Sequence, residues 1–346
     1  QEISMRFSIA VLPGDGIGPD VIDETVKVLA ATGDKFGHQF DLGYGAIGGT
    51  AIDGTGTALP EETYHLCTTS DAILYGAVGG PKWDGLDEKI RPEDGILAVR
   101  KNLDLFANLR PVKIFPSLVN SSPIKPELLV NVDMLILREL TGGLYFSKPK
   151  KRWNNSKGRR GVDTMRYSEE EIERIVRVGF ELAMRRRKLL TSVDKANVLE
   201  SSRLWREVTI EVSGDYPDVE LEHIYIDNLS VQIVRNPSHY DVIVAENTFG
   251  DIISDEASVL AGSLGMLPSA SLSGYPSDLG SGRRTVSLYE PIHGSAPDIA
   301  GQGIANPIGT VLSMAMMLRL SLGLEDEATA VERSVEGVLA EGYRTS

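Results

Sequence analysis

Short apolar runs alternate with amphipathic stretches along this chain of 346 residues. The segments FSIAVLPG, DAILYGAVGG, VDMLILREL and HYDVIVAEN are each typical of a buried strand. Pro19 suits the first turn of a helix after the first strand. The stretch SEEEIERIVRVGFELAMRRRK has helical spacing, with Ser168 and Glu171 as a capping box. This alternation predicts an α/β protein with a largely parallel sheet.

Two segments depart from that pattern. GGLYFSKPKKRWNNSKGRRGVDTMRY is polar, basic and aromatic, with Asn, Gly and Ser at its middle, which predicts a protruding hairpin. Because a lone hairpin is marginally stable in water, we expect it to pair with a partner subunit. SLSGYPSDLGSGRRTVSLYE is rich in Gly and Ser and predicts a surface loop.

Composition narrows the class of protein. The length suggests two domains of ~150 residues each. The net charge of −14 argues against nucleic acid or an anionic membrane as the main partner. A single cysteine, Cys67, allows no intrachain disulfide and favours a reducing cytoplasm. No apolar run reaches roughly 18 residues, and QEISMRFSIAVLPG lacks the features of a signal peptide, so we expect neither a membrane span nor a leader.

Three aspartates and a lysine suggest metal-assisted chemistry on a small acid. Asp251 and Asp255 are four residues apart, so on a helix they share a face, and Asp227 stands separately in HIYIDN. Mg²⁺ prefers such oxygen ligands and usually takes one or two carboxylates. Glu256 lies about 100° round the helix and is a poorer candidate. A solvated helix face remains the alternative for this spacing.

Arginines, a lysine and a tyrosine add candidate chemistry. Arg100, Arg110 and Arg138 lie near predicted helix or strand ends, where guanidinium groups could bind a di- or tricarboxylic acid. Lys195 stands among apolar neighbours, and a partly buried lysine can serve as a base. Tyr145 follows two glycines and could donate a proton. Ordinary surface ion pairs, a surface lysine and a packed tyrosine are the alternatives.

Two glycine-rich segments invite different interpretations. GDGIGPD resembles a dinucleotide fingerprint, but Pro19 stands where G-x-G-x-x-G needs its third glycine, which argues against a Rossmann fold. A tight turn, or a loop that borders a ligand, fits better. EPIHGSAPDIAGQGIANP is too rich in small residues and turn formers for a regular helix or central strand. Long loops in compact domains are usually functional, so we expect a ligand to approach its backbone.

These motifs together resemble a known family. The segments GDGIGPD, RPEDGILAVRKNLDLFANLRP, RELTGGLYF, SVDKANVLESSRLWRE, YIDN, ENTFGDIISDEAS, GSLGMLPSASL and EPIHGSAPDIAGQGIANP occur in this order. The chain is identified as a member of the β-decarboxylating dehydrogenases, of the isocitrate/isopropylmalate dehydrogenase type. The resemblance extends from Phe7 to Leu339.

The resemblance implies an architecture. It implies a non-Rossmann α/β fold with two domains and a homodimer whose active sites are shared between subunits. A cofactor-binding first domain would contain both chain ends, residues 1–103 and 263–346. Residues 104–262 would form the second domain, with the dimer interface and a hairpin arm at about 144–162.

The resemblance also implies a reaction: NAD⁺-dependent oxidative decarboxylation of (2R,3S)-3-isopropylmalate to 4-methyl-2-oxopentanoate and CO₂, in leucine biosynthesis. Arg100, Arg110 and Arg138 would hold the malate carboxylates. Lys195 would take the hydroxyl proton and Tyr145 would protonate the enol. Lys195 and Asp227 would come from the neighbouring subunit. By similarity, the ligands of Mg²⁺ or Mn²⁺ are Asp227, Asp251 and Asp255.

Specificity follows from the same resemblance. The side-chain pocket would be lined by Glu93, Ile96, Leu97 and Val198, whose apolar members suit an isopropyl group and leave a third carboxylate unpaired. An acidic residue at Asp298 favours NAD over NADP. The residues implied to bind NAD are Glu290, His293, Gly294, Ser295, Ala296, Asp298, Ile299 and Asn306. A sibling enzyme acting on malate, tartrate or homoisocitrate is the alternative, and a catalytically silent homologue would have lost one of the site residues.

Overall fold

The computed structural model describes residues 4–85, 90–275 and 285–345. The strands within these ranges are β1 (Arg6–Gly14), β2 (Gln39–Tyr44), β3 (Ala72–Ala77), β4 (Ala107–Lys113), β5 (Asp133–Glu139), β6 (Lys151–Asn155), β7 (Gly158–Val162), β8 (Leu189–Asp194), β9 (Glu220–Tyr225), β10 (Val242–Ala245), β11 (Pro268–Leu272) and β12 (Leu288–Pro291). The helices are α1 (Gly18–Phe36), α2 (Gly49–Thr55), α3 (Glu61–Thr69), α4 (Pro92–Asn102), α5 (Glu169–Met184), α6 (Glu200–Ser213), α7 (Ile226–Arg235), α8 (Asn247–Ser258), α9 (Ile308–Leu320) and α10 (Glu325–Ala340).

The strands and helices expected from the apolar pattern are confirmed. The four apolar runs form β1, β3, β5 and β10. Pro19 lies in the first turn of α1. The amphipathic stretch forms α5, and its capping box is present: the Ser168 backbone N–H donates to Glu171 over 2.8 Å, and the Glu171 N–H donates back to Ser168 Oγ.

Packing divides the chain into two compact units. Unit 1 comprises Gln1–Leu105, Ile114–Pro123 and Ala261–Ser346, and unit 2 comprises Phe106–Lys113 and Ile124–Leu260. In unit 1 the strand order is β2-β1-β3-β12-β11, parallel except for the β11–β12 pair. In unit 2 the order is β4-β5-β10-β8-β9, parallel except for the β4–β5 pair.

Burial follows from this parallel arrangement. Every residue of β3 and of β10 is buried, as expected for parallel strands covered by helices on both faces. In unit 1, α9 packs on β11, β12 and α10, and α1 packs on β3. In unit 2, α5 packs on β10 and α6, and α7 and α8 pack side by side. Within the described ranges, no helix is both long and apolar enough to cross a membrane.

The segment expected to protrude is a two-stranded hairpin. β6 and β7 pair antiparallel between Lys151 and Val162, and all but the last of their residues are exposed. Its pairing with a second subunit stays a prediction.

Two expectations for the last third of the chain need correction. Glu290 and Pro291 were expected in an irregular stretch, but they end β12, which lies between β3 and β11. The physical reason is that Leu288 and Tyr289, the two residues before Glu290, are fully buried. They begin the strand before the stretch rich in small residues starts. The predicted surface loop SLSGYPSDLGSGRRTVSLYE is shorter than expected, because its first residues end β11 and its last residues belong to β12. Its residues 276–284 lie outside the described ranges.

Candidate active site

Two buried arginines in unit 2 meet one carboxylate. Arg110 on β4 and Arg138 on β5 come from neighbouring antiparallel strands, and Asp251 lies on α8. Arg138 Nη1 donates a hydrogen bond to Asp251 Oδ1, and Arg110 Nη1 lies 3.5 Å from the same oxygen. The two guanidinium groups are buried whereas Asp251 is partly exposed. Because a buried cation needs anionic partners, the pair provides a preformed site for carboxylates.

Neutral side chains fix the orientation of both guanidinium groups. Arg110 Nε donates to Asn108 Oδ1 over 2.7 Å, and Arg110 Nη1 donates to Ser254 Oγ over 2.5 Å. Asn247 Oδ1 accepts from Arg138 Nε and Nη2 over 3.0 and 2.8 Å. Such bonds hold a planar guanidinium in one orientation, so the ends that face Asp251 are set in advance.

Tyr145 completes the cluster around Asp251. It ends the short 3₁₀ helix Gly143–Tyr145, and its hydroxyl donates to Asp251 Oδ2 over 3.0 Å. The Arg138 guanidinium carbon lies 5.6 Å from the Tyr145 ring centre. Burial, and next the negative charge of Asp251, raise the pKa of Tyr145. The hydroxyl therefore keeps its proton at neutral pH, which is the state that a proton donor needs.

Asp251 and Asp255 share one face of α8, as their spacing predicts. Asp255 Oδ1 lies 3.8 Å from the Arg110 Nη1 atom that also approaches Asp251. Burial raises the pKa of Asp255, and Arg110 opposes that rise. Glu256 belongs to another face, where its carboxylate is hydrogen-bonded to Ser230. The solvated-face alternative therefore does not describe Asp251, although Asp255 is largely exposed.

Lys195 and Asp227 form a separate pair in unit 2. Lys195 follows the end of β8, Asp227 lies in the first turn of α7, and Lys195 Nζ donates to Asp227 Oδ1. This hydrogen bond lowers the pKa of Asp227. In the described part of the chain, no three His, Cys, Asp or Glu side chains gather as a metal site. Asp227 thus does not join Asp251 and Asp255 as a third ligand within one copy.

The third arginine lies in unit 1. Arg100 on α4 donates from Nη2 to Glu290 Oε1 over 2.9 Å, and both side chains are largely buried. Glu290 was expected at the cofactor, yet here its carboxylate contacts the arginine expected to bind substrate.

The residues expected to line the side-chain pocket differ in exposure. Glu93, Ile96 and Leu97 lie on α4 with Arg100; Ile96 is buried and Leu97 is half-buried. Val198 lies in the turn before α6 and is 62% exposed, so few residues of the same copy cover it.

The glycine-rich loop after β1 supports the segment expected to bind the cofactor. Ile17 N–H donates to the Ser295 carbonyl over 2.8 Å. Gly16 has φ +61°, and a Cβ there would lie 2.0 Å from the same carbonyl, so only glycine permits this approach. Asp20 Oδ2 accepts from Gly301 N–H over 2.9 Å. The GDGIGPD loop therefore contacts the segment that follows β12 directly and is more than an ordinary turn.

The cofactor segment itself is exposed and offers polar groups. Gly294 and Asp298 are exposed, and Ser295, Ala296, Ile299 and Asn306 are half-buried. The Asn306 side-chain oxygen accepts from Ile308 N–H at the start of α9. His293 Nε2 is buried without a hydrogen-bond partner among the described residues.

With this geometry established, comparisons with known proteins identify the family. The family model described as isocitrate/isopropylmalate dehydrogenase matches residues 8–346. The chain belongs to this family.

Relatives in this family are similar over nearly their whole length. A 3-isopropylmalate dehydrogenase of Dehalococcoides mccartyi is 59% identical over 99% of this chain and 93% of its own length. One of Geobacillus kaustophilus is 60% identical over 99% and 90%, and one of Bacillus subtilis is 57% identical over 99% and 91%. The family predicted from the motifs is thereby confirmed.

Solved structures support the same fold. An isocitrate dehydrogenase from Methylococcus capsulatus superposes with a TM-score of 0.85 at 32% identity, covering 98% of this chain and 93% of that one. A β-decarboxylating dehydrogenase from Thermococcus kodakarensis gives 0.77 at 37% identity, covering 98% and 90%. The predicted non-Rossmann α/β fold of isocitrate/isopropylmalate dehydrogenases is confirmed.

Sequence reasoning missed several residues around this family's motifs. Asn247 stands four residues before Asp251, so the i, i+4 spacing that relates Asp251 to Asp255 could have revealed it. Asn108 stands two residues before Arg110, on the same side of a strand. Asp15 is buried, and its carboxylate accepts from the N–H groups of Gly49, Thr50 and Gly79. No local pattern signals the partners of Asp15, since they are distant in sequence.

Proposed function

We propose that this protein oxidises and decarboxylates (2R,3S)-3-isopropylmalate with NAD⁺ as acceptor, forming 4-methyl-2-oxopentanoate and CO₂ in leucine biosynthesis. The observation that carries this proposal is the convergence of Arg110, Arg138 and Tyr145 on Asp251. Relatives at 57–60% identity that are named 3-isopropylmalate dehydrogenase support the choice of substrate.

Substrate binding would use the guanidinium groups. Arg110 and Arg138 are held by Asn108 and Asn247, and each presents its Nη1 atom toward Asp251. Two parallel hydrogen bonds to each substrate carboxylate would fix the malate backbone. We propose Arg100 as a third carboxylate ligand.

The donor set fits a hard divalent cation. Asp251 and Asp255 offer carboxylate oxygens on one helix face, both within 4 Å of Arg110 Nη1. Mg²⁺ or Mn²⁺ suits two carboxylates with water and substrate oxygens as further ligands, and we propose Asp227 of a second copy as the third protein ligand. When bound, the ion supplies a Lewis acid that favours loss of the hydroxyl proton and stabilises the negative charge left by decarboxylation.

Proton transfers would be carried out by this chain's own side chains. Lys195 takes the hydroxyl proton as hydride leaves the same carbon, and Asp227, hydrogen-bonded to Lys195, orients the amine. After CO₂ departs, Tyr145 returns a proton to carbon.

The segment after β12 fits a nicotinamide dinucleotide. The buried His293 Nε2 atom lacks a partner among the described residues, and a bound ligand can supply one. Asp298 is exposed, and its carboxylate suits ribose hydroxyls while repelling the 2′-phosphate of NADP. We therefore propose NAD as the cofactor, held by the backbone of 294–299 together with His293 and Asn306.

Side-chain specificity would come from α4. Leu97 is half-buried and offers apolar surface one turn from Glu93, which suits an isopropyl group, whereas Ile96 packs in the hydrophobic core of unit 1. A third carboxylate would be buried there without a partner, so isocitrate is disfavoured. Val198, which is exposed within one copy, is proposed to close this pocket from the second copy.

A homodimer is supported by apolar side chains on the outer surface of unit 2. Val231 on α7, Ile252 on α8 and Val259 just after α8 are all exposed, on helices that pack side by side. An apolar surface of this kind is typical of a contact between protein chains. We propose that it joins two copies in a cytoplasmic dimer.

Steady-state assays test the proposal. Each of 3-isopropylmalate, isocitrate and malate is assayed with NAD⁺ and with NADP⁺, and kcat/KM is compared. We expect 3-isopropylmalate with NAD⁺ to exceed every other combination. Preference for isocitrate with NADP⁺ would overturn both the substrate and the cofactor.

A further inference from the structure

Asn247 connects Arg138 to the turn that carries Tyr145, two parts of the candidate site. Its side chain is fully buried at the start of α8. On one side, Oδ1 accepts two hydrogen bonds from Arg138. On the other side, Nδ2 donates over 3.0 Å to the carbonyl of Gly142. One amide thus bonds both to Arg138 and to the Gly142 carbonyl.

The Gly142 contact matters because this residue begins the turn that leads to Tyr145. Gly142 caps the 3₁₀ helix Gly143–Tyr145, whose last residue carries the hydroxyl that contacts Asp251. Gly143 has φ +71°, so the turn depends on a conformation that only glycine adopts easily. The start of this turn is held from two sides, because the Gly142 N–H donates to Glu139 Oε2 over 2.8 Å and the Gly142 carbonyl accepts from Asn247 on α8.

We propose that Asn247 is a positioning residue, which sets the plane of the Arg138 guanidinium through Oδ1 and the place of the Tyr145 turn through Nδ2. This inference rests on the proposed function. Asn247 is buried and does not contact the substrate itself. It would keep Arg138, a carboxylate ligand, and Tyr145, a proton donor, in a fixed arrangement relative to each other.

Geometry makes asparagine suited to this role. Arg138 carries only donors and Gly142 offers a carbonyl acceptor, so the connecting group needs both an acceptor and a donor, as an amide has. Aspartate has the same shape but would place an oxygen against the Gly142 carbonyl. Asn247→Asp therefore keeps the bonds to Arg138 and loses the bond to the turn.

Tyr167 provides a matched control in the same buried network. Its hydroxyl accepts from the Asn247 backbone N–H over 3.0 Å and donates to Glu246 over 3.2 Å. Tyr167→Phe deletes these buried bonds while leaving both side-chain contacts of Asn247 intact. If the role of Asn247 is purely structural, the loss of kcat should follow the loss of stability in the same way for Tyr167→Phe and for the Asn247 variants.

The experiment compares Asn247→Ala, Asn247→Asp and Tyr167→Phe with the unaltered enzyme. Thermal unfolding, kcat, KM for 3-isopropylmalate and its Kd by calorimetry are measured for each. We expect Asn247→Ala to lower kcat/KM about 10²-fold, as misplacement of reacting groups by about 1 Å does. Asn247→Asp is expected to lower kcat at least about tenfold while changing Kd less than Asn247→Ala does. Tyr167→Phe is expected to lose stability with kcat within a few-fold of the original.

Each outcome decides the matter. Equal kinetic losses in the control and the Asn247 variants at matched stability would overturn the inference. If Asn247→Ala does not fold, the isosteric Asn247→Asp decides alone, and an unchanged kcat in that variant rejects the role. Failure of the unaltered enzyme to oxidise 3-isopropylmalate refutes the proposed function instead, so the two failures are distinguishable.

Discussion

The Glu290 carboxylate accepts a hydrogen bond of 2.9 Å from Arg100, and the two residues are 190 positions apart. Both side chains are largely buried, so each neutralises a charge that water would otherwise stabilise. Glu290 was expected at the cofactor, and from this contact we infer that its carboxylate orients Arg100, the proposed third carboxylate ligand.

Replacing Glu290 by glutamine tests that assignment. Glu290→Gln keeps the shape but removes the charge opposite Arg100, so we expect the free energy of unfolding to fall by about 1–3 kcal/mol. The KM for 3-isopropylmalate should rise several-fold, with a smaller change in the KM for NAD⁺. Glu173→Gln breaks an exposed pair with Arg177 and should alter stability by no more than about 0.5 kcal/mol. A rise confined to the KM for NAD⁺ would restore the cofactor role.

Removing the hydroxyl of Tyr145 should stop the last proton transfer. We expect Tyr145→Phe to lower kcat by about 10²–10⁴-fold, because the ring still packs while the proton donor is lost. Circular dichroism and thermal unfolding should be nearly unchanged, since this side chain is partly exposed. Tyr44→Phe alters an exposed tyrosine on β2 and serves as the control. Substantial turnover in Tyr145→Phe would remove this tyrosine from the mechanism.

The two neighbouring acids on α8 offer a paired test of metal binding. EDTA should abolish turnover and Mn²⁺ or Mg²⁺ should restore it. Asp255→Asn should raise the Mn²⁺ concentration needed for half-maximal activity by at least about tenfold, because it removes one of few carboxylate ligands. Glu256→Gln should have little effect, since Glu256 contacts Ser230 on another face. Mn²⁺ binding followed by electron paramagnetic resonance gives the same comparison without turnover, and equal effects of the two variants would contradict the assignment.

Cys67 predicts a pH dependence of stability. Burial in α3 raises the pKa of its thiol to about 12. In the unfolded chain the thiol has a pKa of about 8.5, so above that pH the unfolded state loses its proton first and becomes favoured. This contribution to stability is complete below about pH 8.5 and declines up to about pH 12.

A comparison with Cys67→Ala isolates that contribution. Between about pH 8.5 and 10, the free energy of unfolding of the unaltered protein should fall by up to about 1.4 kcal/mol per pH unit more than that of the variant. Denaturant titrations across this range measure the difference. Parallel pH profiles for the two proteins would show that the thiol titrates alike in both states.

Local patterns predicted much of the site, and long-range contacts account for what they missed. Asp251 and Asp255 were predictable as a pair because a helix brings residues i and i+4 together. The Arg100–Glu290 contact was not, because it depends on packing between α4 and β12. The sequence pattern did not reveal β12, because its apolar part is only Leu288 and Tyr289, and Glu290 and Pro291 complete the strand.

The hairpin and the dimer illustrate a different limit. The polar, basic sequence around Trp153 predicts the β6–β7 pair, and the structure has it. The proposed contact of this pair with a second copy involves residues of another chain, so no local sequence pattern predicts it. The proposed place of Lys195 and Asp227 in the site of another copy is also beyond local sequence patterns. Within one chain, among the described residues, they pair with each other, apart from the cluster at Asp251.

Complementation between two inactive variants tests whether the site is shared. Lys195→Met removes the proposed base, and Asp251→Asn removes a proposed metal ligand, so each homodimer should be inactive. If Lys195 serves the site of the other copy, a mixed dimer contains one site with both residues intact. Unfolding and refolding an equal mixture should yield half mixed dimers and restore about a quarter of the original activity.

The stoichiometry makes this result specific. A site built within one copy would have either Lys195 or Asp251 altered in every subunit, so no mixture could regain turnover. The control mixes each variant without unfolding, which leaves the homodimers intact and should give no activity until subunits exchange. Light scattering must show dimers in every sample. The activity of unaltered enzyme, unfolded and refolded in the same way, defines 100%. Activity that stays at the level of the separate variants after proven exchange would place Lys195 and Asp251 in the same copy.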